Sequence, residues 1–549
     1  MSASVTLNGR ALPLGASQSL FAAGTEAGIV IPSSCRQQGR CRECLVEVTA
    51  GAALLTAPSA EERDLRPGFR LSCRCRPADG SEGTIVAHTL LRPTLRIEDR
   101  ALHLPASVRG FAHDPAVRRE GDSVRLDGRE IHRGPGPLLG VAIDLGTTTV
   151  ALRVIDLESA AVVAGASFEN PQRFAGSDVM ARIQYDTDHS GRLLQRTLLA
   201  YLTRVINGLP IAASSIYEYA IAGNSTMRDL LFGLDVRPIG QKPYRSTIEQ
   251  AWRDGTRPDS SVSTRIRELR LPGHPEGRVY GLPLVGGHVG ADAAACLLAL
   301  EPHLSDDLVA IMDIGTNTEV FFGNRHRLLA ASCPAGPAFE GGAISCGLPG
   351  VTGAIERVQI ADDGKVEARV IGDAPADGIC GSGLIDLLGE LSRTGHMNER
   401  GRLESGDEAF VVDAARGIAL RESDINELAQ AKGANVAGLQ IVARRAGRRL
   451  ADLDRFYLAG GFGRHIDLAA ARRIGLIPDL PDDRVVAVGN IAIEGAAIAL
   501  LSVSRRRELE ALVGTIEHVE LETDPGFFDE FVAGCQFQTF GREEDAPRS

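Results

Sequence analysis

One pattern constrains the fold of this chain more than any other: an apolar strand that ends in Asp-x-Gly-Thr occurs twice. GVAIDLGTTTV runs from Gly140 to Val150 and AIMDIGTNTEV from Ala310 to Val320, which puts Asp144 and Asp313 in equivalent places. Around both copies, apolar strands alternate with helix-length segments, the mark of α/β architecture. Two similar lobes facing a shared cleft produce such a repeat. In each copy the strand enters a tight turn whose glycine, Gly146 or Gly315, lets backbone approach a phosphate closely. Thr147, Thr148 and Thr149, and in the second copy Thr316, Asn317 and Thr318, then become candidate donors to phosphoryl oxygens. Asp144 and Asp313 sit at strand ends, where a carboxylate can hold hydrated Mg2+ or orient an attacking water. A single copy reads equally well as an ordinary Gly-Thr turn; the duplication argues for a phosphate site.

A third element supports a nucleotide. FYLAGGFGRHID (Phe456 to Asp467) is a strand followed by Gly460, Gly461 and Gly463. A Gly-Gly pair leaves no side chain between backbone and a flat ligand, which suits adenosine, although a plain strand-to-helix turn has the same pattern. GNIAIEGAAIALL (Gly489 to Leu501) reads as the small-residue helix that follows. No G-x-x-x-x-G-K-[ST] loop is present, so the phosphate site is not of the P-loop kind.

The second chemical signature lies near the start. Cys35, Cys41 and Cys44 are spaced C-x5-C-x2-C within SSCRQQGRCREC, and Cys73 follows in RLSC. Three thiolates on one loop and a fourth from a distant strand can surround a [2Fe–2S] rhombus, with Gly39 letting the loop turn closely around sulfide. Backbone N–H groups there would tune the potential. Zinc competes as a reading, but only Cys41 and Cys44 form a knuckle pair, and Cys73 with Cys75 is an awkward second half. If FRLSCRC (Phe69 to Cys75) is a strand, Cys73 and Cys75 share a face and Cys75 is a spare ligand. RLSC favours Cys73 because it matches a ferredoxin strand ending.

At 549 residues, two or three domains are expected. Residues 1–93 read as a small β-rich unit opened by an Asn8-Gly9 hairpin, and residues 94–138, rich in Arg, Asp, Gly and Pro, as a connector, partly ordered at best. Residues 139–549 form the α/β part, with a first lobe over 139–305, a second over 306–524 and a short tail over 525–549. The formal charge of −12 argues against a general nucleic-acid binder. No run of about 18 apolar residues predicts a membrane span. The opening residues do not read as a secretory signal, so the cytoplasm is expected and the cysteines are read as reduced. Residues 1–93 carry ten Arg against eight acidic residues, a slightly basic head that suits an acidic partner face, or a solvated excess of no consequence.

The two phosphate loops and the Gly-Gly loop together resemble the sugar kinase/Hsp70/actin superfamily over most of residues 140–505. That resemblance implies a duplicated, two-lobe ribonuclease-H-like ATPase using ATP and Mg2+, and the cysteine loop implies a β-grasp ferredoxin in front of it. The fold class is therefore multidomain, α+β followed by α/β. The fusion resembles the reductive activators of corrinoid proteins. Strings shared with that family are IAGNSTM (Ile221 to Met227), GGHVGADA (Gly286 to Ala293), PAGPAFEGGAI (Pro334 to Ile344) and ICGSGLIDLL (Ile379 to Leu388). AGNSTM itself reads as a strand end opening into a helix capped by Asn224 or Ser225.

The resemblance implies an ATP-dependent transfer of a low-potential electron to the Co(II) corrinoid of a partner in a methyltransferase system. An upstream reductant would reload the cluster. No Asp-x-His-x-x-Gly motif for base-off cobalamin is present, which puts the corrinoid on the partner. Some relatives insert a further domain, linked to dimerisation, before the ATPase; the short connector here leaves a homodimer open. Two other readings remain: a small-metabolite kinase with a regulatory cluster, and a non-enzymatic switch governed by nucleotide and redox state.

Overall fold

An Asn-Gly turn organises the first sheet: Asn8 and Gly9 both take the left-handed conformation that a two-residue hairpin requires. The chain is described from a computed structural model. The residues described are 3–29, 31, 33, 35–39, 43–63, 65–90, 110–461 and 466–541. Cys41, Gly463 and residues 91–109 lie outside them, as does the end of the tail after residue 541.

The N-terminal sheet has five strands in the order Arg10–Pro13, Ser4–Leu7, Thr84–Thr89, Leu45–Ala50, Phe69–Leu71. Ser4–Leu7 runs parallel to Thr84–Thr89 and the other pairings are antiparallel. The helix Leu20–Glu26, capped by the Ser19 hydroxyl, buries Leu20 and Phe21 in the same core as the sheet. A mixed sheet grasping one helix is the β-grasp arrangement. The last strand is shorter than expected. It ends at Leu71, because the amides of Arg74 and Cys75 both turn back to the Leu71 carbonyl, at 2.7 and 3.1 Å. Cys73 and Cys75 therefore do not share a strand face, and the premise that made Cys75 a spare ligand fails.

The connector also differs from expectation. Its described part holds a three-stranded antiparallel meander, Val117–Glu120, Ser123–Leu126 and Arg129–Arg133, with Asp127 and Gly128 in a left-handed turn. Val117 and Val124 bury into the same core as Leu138, Ala142 and Tyr217 of the first lobe. The Asp114 carboxylate accepts from the Ser502 hydroxyl at 2.5 Å and the Ser504 amide at 3.0 Å. Of the arginines in the described part, Arg118, Arg129 and Arg133 are exposed on this small sheet and Arg119 and Arg125 are half-buried.

The two lobes share a five-strand topology and differ in the sixth strand, which joins opposite edges. The first sheet runs Val162–Glu169, Thr149–Asp156, Leu139–Leu145, Ile216–Gly223, Arg278–Gly281, Val262–Arg265; the second runs Glu517–His518, Arg327–Cys333, Thr318–Asn324, Val309–Ile314, Arg455–Ala459, Val485–Gly489. In each, the Asp-bearing strand has an antiparallel hairpin on one side and a parallel strand on the other. This is the ribonuclease-H-like arrangement, duplicated. The helices Ala291–Leu300 and Ala492–Leu501 cross closely, and a Cβ on Gly495 would collide with the Ala295 carbonyl. These helices bring residues of both sheets, such as Ala220 and Ile311, into one core. The tail helix Phe527–Gly534 packs on the long helix Glu422–Ala446 of the second lobe, where the Lys432 ammonium donates to the Gln536 carbonyl at 2.7 Å. Among the described residues, no helix is long and apolar enough to cross a membrane.

Candidate functional site

The cysteine loop closes around two buried sulfurs. Cys44 precedes the Leu45–Ala50 strand and Cys73 lies in the turn after Leu71, which places their Sγ atoms 3.3 Å apart with no disulfide between them. The Cys44 contact lowers the Cys73 thiol against the opposing effect of burial, with Arg74 and a backbone bond from Gly39 acting in the same direction. The Cys44 thiol is pushed up by that same contact and by burial. Of the four expected ligands, Cys44 and Cys73 meet; the charge of Cys35 raises the Cys73 thiol slightly, and Cys41 lies outside the described residues. A thiol lowered by its neighbour, with a backbone N–H directed at its sulfur, fits a thiolate cluster ligand. Cys75 sits in the domain core, where burial pushes its thiol up to about 12. Behind the loop, buried Glu62 is clamped by Arg70 at 2.9 Å and by the amides of Ser59 and Leu71, at 2.7 and 2.8 Å. Those bonds hold its carboxyl low although burial opposes them. Nothing in its sequence context distinguishes Glu62 from a surface glutamate.

In the cleft, the two Asp-x-Gly-Thr turns face each other. The Thr148 and Thr316 hydroxyls are 3.2 Å apart, and both donate to one oxygen of Glu340, Thr148 at 3.0 Å. Of the six candidate side-chain donors, these two meet across the cleft. The first turn is one residue longer than the second, since Leu145 pairs with Val150 but Ile314 pairs with Thr318. Thr149 and Thr318 accordingly begin the next strands, and Thr318 is wholly buried. The Thr147 hydroxyl accepts from Asn224 at 2.9 Å, and Asn224 caps the helix Ser225–Phe232 as expected. Asn317 is part-exposed on the second turn. A Cβ on Gly146 would lie 2.6 Å from the Thr149 carbonyl, and one on Gly315 3.3 Å from that of Asn317, so Gly146 is the residue the turn requires. At Gly460 a Cβ would collide with the Ile314 carbonyl, so packing alone already requires glycine there. Gly461 opens onto free space, as a flat ligand requires.

Four acidic side chains lie at the base of the cleft. Asp144 accepts from the Asn490 amide at 2.6 Å and Asp313 from the Cys296 thiol at 3.3 Å. Burial pushes Asp144 up to about 8, with Asn490 opposing and Asp292, Asp313 and Glu340 adding to the rise. Burial likewise pushes Asp292 up to about 7 and Asp313 up to about 6, and raises Glu340. Asp292 and Glu340 escaped assignment because they sit inside glycine-rich strings, GGHVGADA and PAGPAFEGGAI, where only an acidic residue next to glycines marked them. Among the described residues, no group of three or more histidine, cysteine, aspartate or glutamate side chains is placed to hold a metal ion.

The raised values have a consequence for stability. A carboxyl whose folded value lies above its unfolded value of about 4 stabilises the fold while protonated, and that contribution is lost as pH rises through the folded value. Without nucleotide or Mg2+, the thermal midpoint is expected to fall between about pH 5 and pH 8.5 as Asp313, Asp292 and Asp144 ionise in turn. Calorimetry across that range checks it, and Asp144→Asn should flatten the upper part of the fall.

The ferredoxin unit docks on the first lobe. Arg173, in the turn Pro171–Ala175, pairs with Glu47 of the N-terminal sheet and with Glu169 at 2.6 Å, and its guanidinium lies 5.9 Å from the centre of the Phe69 ring. Tyr201 of the helix Leu193–Asn207 is wholly buried; burial, followed by the charge of Cys44, raises its hydroxyl.

A β-grasp cysteine domain docked on a duplicated ribonuclease-H-like cleft defines a class: an iron–sulfur protein built onto an ASKHA-type nucleotide machine. Residues 5–78 match the 2Fe-2S iron-sulfur cluster binding domain, residues 139–305 the RACo middle region, and residues 307–545 the C-terminal domain of RACo, the ASKHA domain. The chain is 32% identical over 432 residues to the corrinoid activation enzyme RamQ of Eubacterium limosum, covering 73% of this chain and 70% of that protein. It is 24% identical over 439 residues to the [Co(II) methylated amine-specific corrinoid protein] reductase of Methanosarcina barkeri, covering 74% of this chain and 78% of that one. A solved structure, the reductive activator for corrinoid, iron-sulfur protein, superposes with a TM-score of 0.72 at 27% identity, over 98% of this chain and 99% of that one. The chain belongs to the RACo family of corrinoid-protein activators.

Proposed function

We propose that this chain is an ATP-dependent reductive activator that passes a low-potential electron to the Co(II) corrinoid of a partner protein and restores Co(I). The observation that carries this reading is the union of two sites in one body: converging cysteines on a domain that is itself clamped to the nucleotide lobe. The names of the relatives support the corrinoid as acceptor. Cys35, Cys41, Cys44 and Cys73 would hold a [2Fe–2S] cluster, which supplies one electron at a time. Thr148 and Thr316 present hydroxyls to the phosphates of ATP, with Gly146, Thr147, Thr149, Gly315, Asn317 and Thr318 shaping the turns. Gly461 receives the adenosine, together with Gly463. Asp144 and Asp313 hold Mg2+ and orient the water, and Asp292 shares that task.

Energetics explain why ATP is needed. Plant-type clusters lie near about −400 mV, and each missing ~59 mV costs about 1.4 kcal/mol for one electron. Nucleotide can offset that gap only by binding differently to two states of the protein and its partner. Dithionite- or ferredoxin-reduced protein mixed with a corrinoid protein should give the Co(I) absorption band at least about tenfold faster with MgATP than without. Equal rates with and without ATP would refute the reading, as would phosphorylation of a small metabolite with no partner present.

A further inference from the structure

The turn that clamps the ferredoxin unit is the same turn that shapes the first phosphate loop. Asn170 begins it, with its amide donating to the Thr148 carbonyl at 2.7 Å and its side chain to the Gly146 carbonyl at 2.8 Å. Three residues later, Arg173 holds Glu47 and faces Phe69. The turn ends at Gly176, where a Cβ would lie 3.3 Å from the guanidinium of Arg66, on the ferredoxin side. The Gly176 carbonyl accepts from Arg182 at 3.1 Å, and the same buried guanidinium donates to the Thr147 carbonyl at 2.6 Å. Both ends of the segment Glu169–Gly176 are thus tied to the Gly146–Thr148 loop, while its outer face is tied to the ferredoxin.

We propose that Glu169–Gly176 couples the cleft to ferredoxin docking, so that nucleotide binding loosens the ferredoxin unit from the first lobe. The inference rests on nucleotide binding in the cleft as read above, and adds its regulation of the cluster domain. The direction follows from Glu340. Its carboxyl joins Thr148 to Thr316 where phosphate must enter, so a triphosphate has to part the two turns. Thr148 cannot move without Asn170, and Asn170 moves the Arg173 clamp. Arg173 and Asn170 are positioning residues, acting through the loop. Reciprocity then requires that weakening the clamp tighten nucleotide binding by the same factor.

The test uses the full, cluster-loaded chain with Mg2+ and a non-hydrolysable ATP analogue. Hydrogen exchange follows the strand Leu45–Ala50, and calorimetry gives analogue affinity for wild type, Glu47→Gln, Arg173→Gln and the double variant. In wild type the analogue should raise exchange at Leu45–Ala50. Each single variant should bind the analogue about threefold more tightly, and the double variant no more tightly than either, because one contact has been removed in all three. A merely structural role would lower affinity or leave it unchanged. Glu47→Gln lies on the ferredoxin and tests the coupling even if Arg173→Gln unfolds. Analogue binding with unchanged or lowered exchange, or variants that bind no more tightly than wild type, would overturn the coupling alone. Absence of analogue binding to wild type would overturn the nucleotide reading and the coupling with it.

Discussion

Cys73→Ser is expected to strip the cluster from this protein, and Cys75→Ser to leave it in place. Both thiols are buried and only one residue separates them, so sequence spacing treats them alike. Geometry separates them. The Cys73 sulfur lies 3.3 Å from Cys44, whereas Cys75 follows the turn at Leu71 and its carbonyl accepts from the Leu20 amide at 3.0 Å, inside the domain core. Serine at position 73 removes a thiolate ligand, and iron and acid-labile sulfide should fall from about two of each per chain to a small fraction. Reduction of the corrinoid partner should be lost with them. Serine at position 75 exchanges one small buried side chain for another, costing on the order of 1–2 kcal/mol for the hydroxyl, with the visible absorption retained. Metal analysis and the absorption spectrum decide the matter. A Cys75→Ser protein without iron, beside a Cys73→Ser protein with it, would reverse the ligand assignment.

The second large effect belongs to the cleft. Asp144→Asn and Asp313→Asn keep shape and remove charge, and each is expected to slow ATP-dependent reduction about a hundredfold or more. Iron content should not change, because neither carboxylate touches the cysteine loop. Stopped-flow formation of Co(I), with and without MgATP, reads the effect. Slow reduction accompanied by a lost cluster would indicate unfolding instead. Retention of full ATP dependence in both variants would remove these two aspartates from the reaction.

The parts of the site written in contiguous residues are legible in the amino-acid sequence alone. Asp144, Thr148, Asp313 and Thr316 stand in two copies of one short string, and a strand that runs directly into a turn fixes its own geometry locally. Asn224 is legible as a helix cap for the same reason. Residues that act from a distance are not. Glu340 reaches Thr148 across 192 positions and Asn490 reaches Asp144 across 346. A lone acidic residue or amide among glycines carries no periodic signal. The meander within residues 110–138 of the connector was not legible, because three short strands carrying several arginines have a linker's composition. Its buried Val117 and Val124 are too few to show a period.

By itself, then, the sequence determined that a ferredoxin-type iron–sulfur domain precedes a duplicated nucleotide fold, because cysteine spacing and strand-turn strings are local properties of the chain. Only the tertiary structure decided which cysteine after Leu71 faces Cys44, which hydroxyls meet across the cleft, and that one turn grips both the phosphate loop and the ferredoxin. Those are contacts between segments far apart in the chain. They exist only once burial has brought the segments together, and no short string of residues encodes them.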